Sequence, residues 1–232
     1  MSKPCVFITG GGRGIGRAVA LRFAREGSHV AIGSRTSPEL DSVVSEIEAA
    51  GGKGLATQMN LRDHGSVEAA VYRAVEDFGG HIDVIVNNAG VFDVQPFEDL
   101  DLETWQRFLD VNLTGSFMVT LEALTALKES ERGHVFNVAS VAGKRGFAGN
   151  VAYCASKYGL RGFGDALRED LREARIRVTN VFPSATDTGI FDGVAGEWDR
   201  AGMLRPEEVA DAIWAAYVSD EETPEIDLPR VG

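Results

Sequence analysis

The sequence predicts a doubly wound α/β domain with a parallel sheet of about seven strands flanked by helices, and three observations carry that expectation. Short β-branched runs alternate with longer amphipathic segments along the whole chain. The strand-like runs are apolar throughout rather than alternating, as strands covered by helices on both faces are. Between the first such run and the helical pattern after it, five glycines fall within seven positions, at 10, 11, 12, 14 and 16.

Each element follows from its own stretch. CVFIT at 5–9 is closed by the glycines, and a helical pattern occupies 15–26. HVAIGS at 29–34 and GLATQM at 54–59 are each followed by amphipathic spacing, over 38–50 and 65–78. IDVIVN at 82–87 precedes a long helical stretch near 102–130. HVFNVAS at 134–140 precedes a helix over about 151–174, IRVTNVF at 176–182 precedes one near 206–218, and EIDL at 225–228 is a last extended piece. Residues 187–204, rich in Gly, Ala and Asp without periodicity, have the composition of a mobile loop. No repeat or linker divides the chain, so residues 1–232 are expected to form one domain.

Composition narrows the partners. Hydrophobic residues at 44% and charged residues at 25% are an ordinary globular balance. The net charge of −12 argues against nucleic acid or an anionic membrane surface, so any basic site is local. No run approaches the ~18 apolar residues of a spanning helix, and MSKPCVFITG lacks the features of a secretory signal. A cytoplasmic location is expected, with Cys5 and Cys154 reduced. His29, His64, His81 and His134 are scattered without ligand spacing, and no metal site is expected.

In an open parallel sheet the first strand-to-helix turn usually takes phosphates, and glycine lets the backbone approach them closely. A plain tight turn needs one or two glycines, and TGGGRGIG has five. Its spacing does not match G-x-G-x-x-G in any register. Thr9-Gly10-x-x-x-Gly14-x-Gly16 instead resembles the short-chain dehydrogenase/reductase family. The resemblance continues through NNAG at 87–90, VNLTG at 111–115, NVAS at 137–140, YCASK at 153–157 and FPSATDT at 182–188. It implies a Rossmann-type fold and a nicotinamide cofactor held by Gly10, Gly12, Arg13, Gly14, Ile15 and Gly16 at the glycine turn. Ser34 and Arg35, Asn60 and Leu61, and Asn88, Ala89 and Gly90 join them, with Pro183 and Thr188 after the sixth strand. Ser184 stands where the family usually has glycine, and Asn60 where an aspartate often meets the adenine.

Tyr153 and Lys157 are four apart, which places them on one face of a helix. An ammonium beside a phenol favours phenolate and lowers its pKa from about 10. Ser140 ends the strand before that helix, at the edge that carries the glycine turn. By the resemblance, Tyr153 exchanges a proton with the substrate oxygen and Ser140 holds that oxygen. Lys157 lowers the tyrosine pKa and binds the nicotinamide ribose, and Asn112 holds a water in the proton relay.

At the end of the second strand, AIGSRTS offers Arg35 and no acid, and Arg13 is expected to approach the same 2′-phosphate. With Ser34 and Thr36 as hydroxyl donors, NADP(H) is favoured over NAD(H). Phe92, Val94, Ala142, Phe147 and Val151 mark a partly apolar substrate pocket, and ordinary packing accounts for each equally well. Lys144 and Arg145 meet an anionic substrate or acyl carrier, or form a solvated basic pair. The expected activity is hydride transfer between NADP(H) and a carbonyl or secondary alcohol, 3-oxoacyl thioesters, small ketones and sugars being candidates. The alternative is a redox-sensing protein that binds NADP without turnover. The resemblance also implies a homo-oligomer, a tetramer or dimer, formed through the helices near 102–130 and 151–174.

Overall fold

The computed structural model describes residues 3–229. Seven strands, β1 (Cys5–Thr9), β2 (His29–Ser34), β3 (Lys53–Gln58), β4 (Val84–Asn87), β5 (His134–Val138), β6 (Arg177–Pro183) and β7 (Glu225–Leu228), form one sheet. Their order is β3-β2-β1-β4-β5-β6-β7, and every neighbouring pair is parallel. The expected doubly wound sheet is present. The order in which successive strands are added reverses between β1 and β4, which opens a crevice at their carboxyl ends.

Alternate strand residues feed opposite faces. Val6, Ile8, Val30 and Ile32 pack with α1 (Gly14–Ala24), α2 (Ser37–Ala49) and α7 (Pro206–Val218). Phe7, Ala31, Ile85 and Val135 pack with α3 (His64–Asp77) and α5 (Gly115–Lys128). Phe23 of α1 meets Trp214 of α7 edge-on at 5.0 Å, fastening two helices of the first face. Among the described residues no helix is long and apolar enough to cross a membrane.

Asn87, Asn137 and Asn180 stand in register on β4, β5 and β6. Asn87 Nδ2 donates to Thr120 Oγ1 and to Asn137 Oδ1, both at 3.0 Å. Asn137 Nδ2 donates to Asn180 Oδ1 at 3.3 Å, and Asn180 Nδ2 reaches Asp165 Oδ1 at 3.0 Å. This buried polar row ties α5 to α6 (Val151–Asp170) through the sheet. Gly164 of α6 lies on it so closely that a Cβ there would be 2.1 Å from Asn180 Oδ1.

Two helical expectations change. The stretch near 102–130 divides into α4 (Leu102–Leu109), a π turn at Asp110–Thr114 and α5. Gly115 N–H reaches back five residues to Asp110 O, and Asn112, at the centre of the turn, is drawn into side-chain bonds with neighbouring elements. The helix expected to 174 stops at Asp170, and Arg175 adopts φ 57° as the chain turns into β6.

Candidate active site

The crevice is built first from the turn after β1. Gly16 packs against that turn, where a Cβ would fall 2.3 Å from Gly10 O and 2.6 Å from Asn88 Nδ2, so no other residue fits. Gly14 holds φ +56° under Thr188, whose Cγ2 a Cβ would meet at 3.0 Å. Asn88 Nδ2 donates to Thr9 O at 2.9 Å and to Gly10 O at 3.2 Å, locking the end of β4 to the glycine turn. The first turn of α1 has no acidic residue and no side-chain cap. Its N–H groups and helix dipole therefore favour an anion, and these residues fit a dinucleotide pyrophosphate.

On the other side of the crevice, Ser140 follows β5 and Tyr153 lies in the first turn of α6. The two side chains are hydrogen-bonded, which stabilises a phenolate. Burial outweighs that bond and pushes the phenol up to about 12. Phe92 meets the Tyr153 ring edge-on at 4.9 Å and Phe108 does so at 6.3 Å, walling it in apolar surface. The sequence expectation of a phenol lowered by Lys157 is thus not met by the chain's own groups. The ammonium lies 5.8 Å from the Tyr153 ring centre, and burial pushes it down to about 8, so its own positive charge is weakened. Lys157 Nζ donates to Val138 O at 2.8 Å.

Asn112 is fully buried one layer behind. Its Oδ1 accepts from Val91 N at 2.8 Å, and its Nδ2 donates to Val91 O at 3.1 Å and Ser156 Oγ at 2.9 Å. Gly90 marks where it meets Lys157: a Cβ there would lie 3.3 Å from Asn112 Oδ1 and 3.6 Å from Lys157 Nζ. The side chain holds the Gly90–Val91 backbone against α6 through these three bonds.

One cavity of about 480 Å³ joins the glycine turn to the tyrosine. Gly10, Gly12, Arg13, Gly14 and Ile15 line one end, with Ser34, Arg35, Asn60 and Leu61 beside them. Asn88, Ala89, Gly90, Pro183 and Thr188 lie between these and Ser140, Tyr153 and Lys157. Of the expected cofactor residues only Gly16 is absent from the lining, because it supports the turn from behind.

Several expectations are corrected by side-chain placement. Arg13 sends Nη1 to the Gly189 turn, where Asp192 also reaches, rather than to the end of β2. Asn60 turns Oδ1 to the Arg62 N–H at 3.1 Å. Ser184 lines the cavity, and its buried Oγ has no hydrogen-bond partner among the described residues. Phe92, Ala142 and Phe147 line the cavity, but Val94 packs on Gly149 and Val151 lies outside. Lys144 is neither solvated nor poised for a substrate: its Nζ is bound by Glu225 at 2.7 Å and Asp227 at 2.6 Å, over the Phe182 ring. Burial lowers its pKa, and the two carboxylates more than offset that. Arg145 stacks on Phe147.

Sequence reasoning missed Glu39, Arg62, Arg107, Phe191 and Trp198, which also line the cavity. Phe92, Phe191 and Trp198 form an aromatic cluster with centroids 4.7 to 5.7 Å apart. The only advance signal was that Trp198 and Phe191 belong to the 187–204 loop. At the opposite edge of the sheet, Cys5, His81 and Asp83 bring donor atoms within 4.8 Å of one another. Asp83 is already bound there by Cys5 N–H at 2.7 Å and Ser130 Oγ at 2.5 Å.

Comparison with known proteins agrees with this geometry. Residues 4–197 match the family model for short chain dehydrogenases. The chain is 36% identical over 229 residues to a sepiapterin reductase of Chlorobaculum tepidum, covering 95% of this chain and 93% of that protein. A Thermococcus sibiricus alcohol dehydrogenase complexed with 5-hydroxy-NADP superposes with a TM-score of 0.90 at 26% identity, over 97% and 96% of the two chains. A Brucella melitensis 3-ketoacyl-(acyl-carrier-protein) reductase complexed with NADH gives 0.87 at 29%, over 97% and 96%. The glycine turn, the Ser140–Tyr153 pair, the parallel sheet and these matches lead to one conclusion: the chain belongs to the short-chain dehydrogenase/reductase family of nicotinamide-binding oxidoreductases.

Proposed function

We propose that the protein transfers a hydride between NADP(H) and a carbonyl or secondary alcohol, with Tyr153 as the general acid and base. The observation that carries this reading is one cavity with an uncapped helix start at one end and a hydrogen-bonded Ser140–Tyr153 pair at the other. The bound nicotinamide would supply or accept the hydride. The glycine turn and the N–H groups of α1 would hold the pyrophosphate, and Lys157 the ribose hydroxyls.

Hydride addition to a carbonyl builds negative charge on oxygen. A half-buried serine hydroxyl and a phenol kept protonated by burial are donors suited to that charge, beside the ring of Phe92. Tyr153 gives its proton to the oxygen in reduction and takes it back in oxidation. Asn112 holds Val91 and Ser156 in place behind the tyrosine, and is the residue to which a relay water is assigned.

Arg35, Ser34 and Thr36 favour NADPH. The relatives act, by name, on a pterin and on acyl-carrier-protein thioesters, and the aromatic cluster above Tyr153 favours a compact ketone. Residues 1–232 act as one domain in the cytoplasm. Exposed Phe117 and Leu121 on α5 and Tyr158 on α6 support assembly as a dimer or tetramer through those helices. The test is loss of reduced-nicotinamide absorbance, with NADPH and NADH in parallel, against sepiapterin, a 3-oxoacyl thioester, small ketones and sugars. Faster turnover of at least one carbonyl with NADPH is expected; preference for NADH on every substrate overturns the cofactor reading.

A further inference from the structure

Glu225 opens the last strand and joins the two elements that carry Ser140 and Tyr153. Its register partner on β6 is Asn180, and Asp227, opposite Phe182, follows on the same face of the sheet. Helix α6 covers that face, where Asn180 Nδ2 donates to Arg161 O at 3.1 Å. Glu225 Oε2 accepts from Lys144 Nζ at 2.7 Å, and Glu225 Oε1 lies 2.9 Å from Arg161 Nη2. Lys144 closes the short turn that begins at Ser140, and Arg161 stands one helical turn beyond Lys157. One carboxylate therefore spans the serine turn and the tyrosine helix.

The turn moves as one piece. Ala142 N–H donates to Ser140 Oγ at 3.1 Å, Gly143 N–H to Ser140 O at 2.8 Å and Lys144 N–H to Val141 O at 3.0 Å, so a displacement of Lys144 is passed to Ser140. Gly143 rests on the main chain of α6, where a Cβ would be 2.9 Å from Lys157 O. That contact sets the closest approach of turn and helix without drawing them together. Lys144 Nζ and the Arg161 guanidinium carbon lie 4.0 and 5.6 Å from the centre of the same Phe182 ring, and their like charges repel. Glu225, between them, turns that repulsion into a tie. An isolated exposed pair would contribute little, but these three side chains are only 25 to 36% exposed and share one carboxylate.

We infer that Glu225 is a positioning residue for the Ser140–Tyr153 pair, its carboxylate holding the serine turn against α6 so that both hydroxyls face one substrate oxygen. The inference rests on the reductase reading above and extends it to a residue outside the cavity lining. Asp227 provides an internal comparison: it binds the same Lys144 Nζ at 2.6 Å from the same strand, yet among the described residues no ion pair joins it to α6.

The test is steady-state kinetics, with whichever carbonyl the panel identifies, of the wild type, Glu225→Gln, Lys144→Met, Lys144→Arg and Asp227→Asn, with NADPH affinity measured alongside. Glu225→Gln and Lys144→Met should each lower kcat by about tenfold, the effect of a small misplacement of the proton donor, with KM and NADPH affinity nearly unchanged. Lys144→Arg, which keeps the charge, and Asp227→Asn, which leaves the bridge, should retain kcat. The double variant Glu225→Gln/Lys144→Met should be no slower than the slower single one, because both cut the same tie. Full kcat in Glu225→Gln, even with a lower urea midpoint, would make the bridge purely structural and overturn the inference, as would an equal loss in Asp227→Asn. Circular dichroism confirms folding, and Lys144→Met carries the test if Glu225→Gln does not fold. Hydrogen exchange reads the tie without turnover: the amides of Ala142 and Gly143 should exchange faster in Glu225→Gln than in Asp227→Asn, and equal rates would contradict the inference. A wild type that reduces no carbonyl would defeat the reductase reading and leave the exchange rates to decide this one.

Discussion

Lys157 donates from Nζ to the main-chain oxygen of Val138 at 2.8 Å, so the ammonium of α6 is pinned to the end of β5, two residues before Ser140. That bond fixes the spacing between the helix carrying Tyr153 and the strand carrying Ser140. It also buries a charge, and the consequences can be measured.

Burial lowers the Lys157 pKa to about 8 in the folded chain from 10.5. Below that value the folded state bears an uncompensated charge; as pH rises through it the folded state sheds a proton the unfolded chain keeps, and stability increases. The gain is at most about 1 kcal/mol between about pH 8 and pH 9. Above that, the Cys5 thiol, pushed up to about 12 by burial, works in the opposite direction. Urea midpoints in this window should rise for the wild type and stay level for Lys157→Met; parallel curves would refute the assignment.

Gly164→Ala places a methyl group on the buried asparagine row, against Asn180 Oδ1 and Asn137 Nδ2. Elsewhere in a helix this change stabilises by ~1 kcal/mol. Here overpacking should cost about 1–3 kcal/mol and displace α6, lowering kcat as well as the unfolding midpoint. A stabilised variant with full activity would show that α6 does not depend on that row.

Arg35→Ala should weaken NADPH binding by about tenfold and leave NADH binding nearly unchanged, because only the 2′-phosphate loses a charged partner. Equal effects on both dinucleotides would show that Arg35 supports the loop rather than the phosphate.

Arg200 clasps the 187–204 loop: its Nη1 binds Asp187 Oδ1 at 2.8 Å and Thr188 O at 2.9 Å, and its Nη2 binds Asp192 Oδ1 at 2.7 Å. Arg200→Ala should speed limited proteolysis within the loop and raise the substrate KM, since Phe191 and Trp198 pack on Phe92 from it. An unchanged cleavage rate would mean that the aromatic cluster alone holds the loop down.

The strands were legible because buried parallel strands are written as continuous apolar runs, and VFIT or VIVN has no other economical reading. Tyr153 and Lys157 stood out by their spacing on one helix face and Ser140 by its place at a strand end, and all three line one cavity. The π turn was not: an apolar helical pattern continues through 110–114, and the interruption comes from Asn112 bonding to Val91 and Ser156, residues remote in sequence. Lys144 read as either a contact for an anionic substrate or a solvated cation because its partners Glu225 and Asp227 arrive from the last strand. Glu39 was overlooked because it lies on the helix after the β2 turn, and only the fold brings it back to Gly12. The phenol pKa was misjudged because spacing reveals the neighbouring charge but not the burial that outweighs it.

The most direct test of the account compares Tyr153→Phe with the wild type in two assays, dinucleotide affinity and turnover of whichever carbonyl the panel identifies. The account predicts unchanged affinity and turnover lower by about 10²–10⁴-fold, the loss of a positioned proton donor. Turnover that survives the substitution would contradict it, as would a wild type that binds NADPH tightly and reduces nothing, the behaviour of a redox sensor.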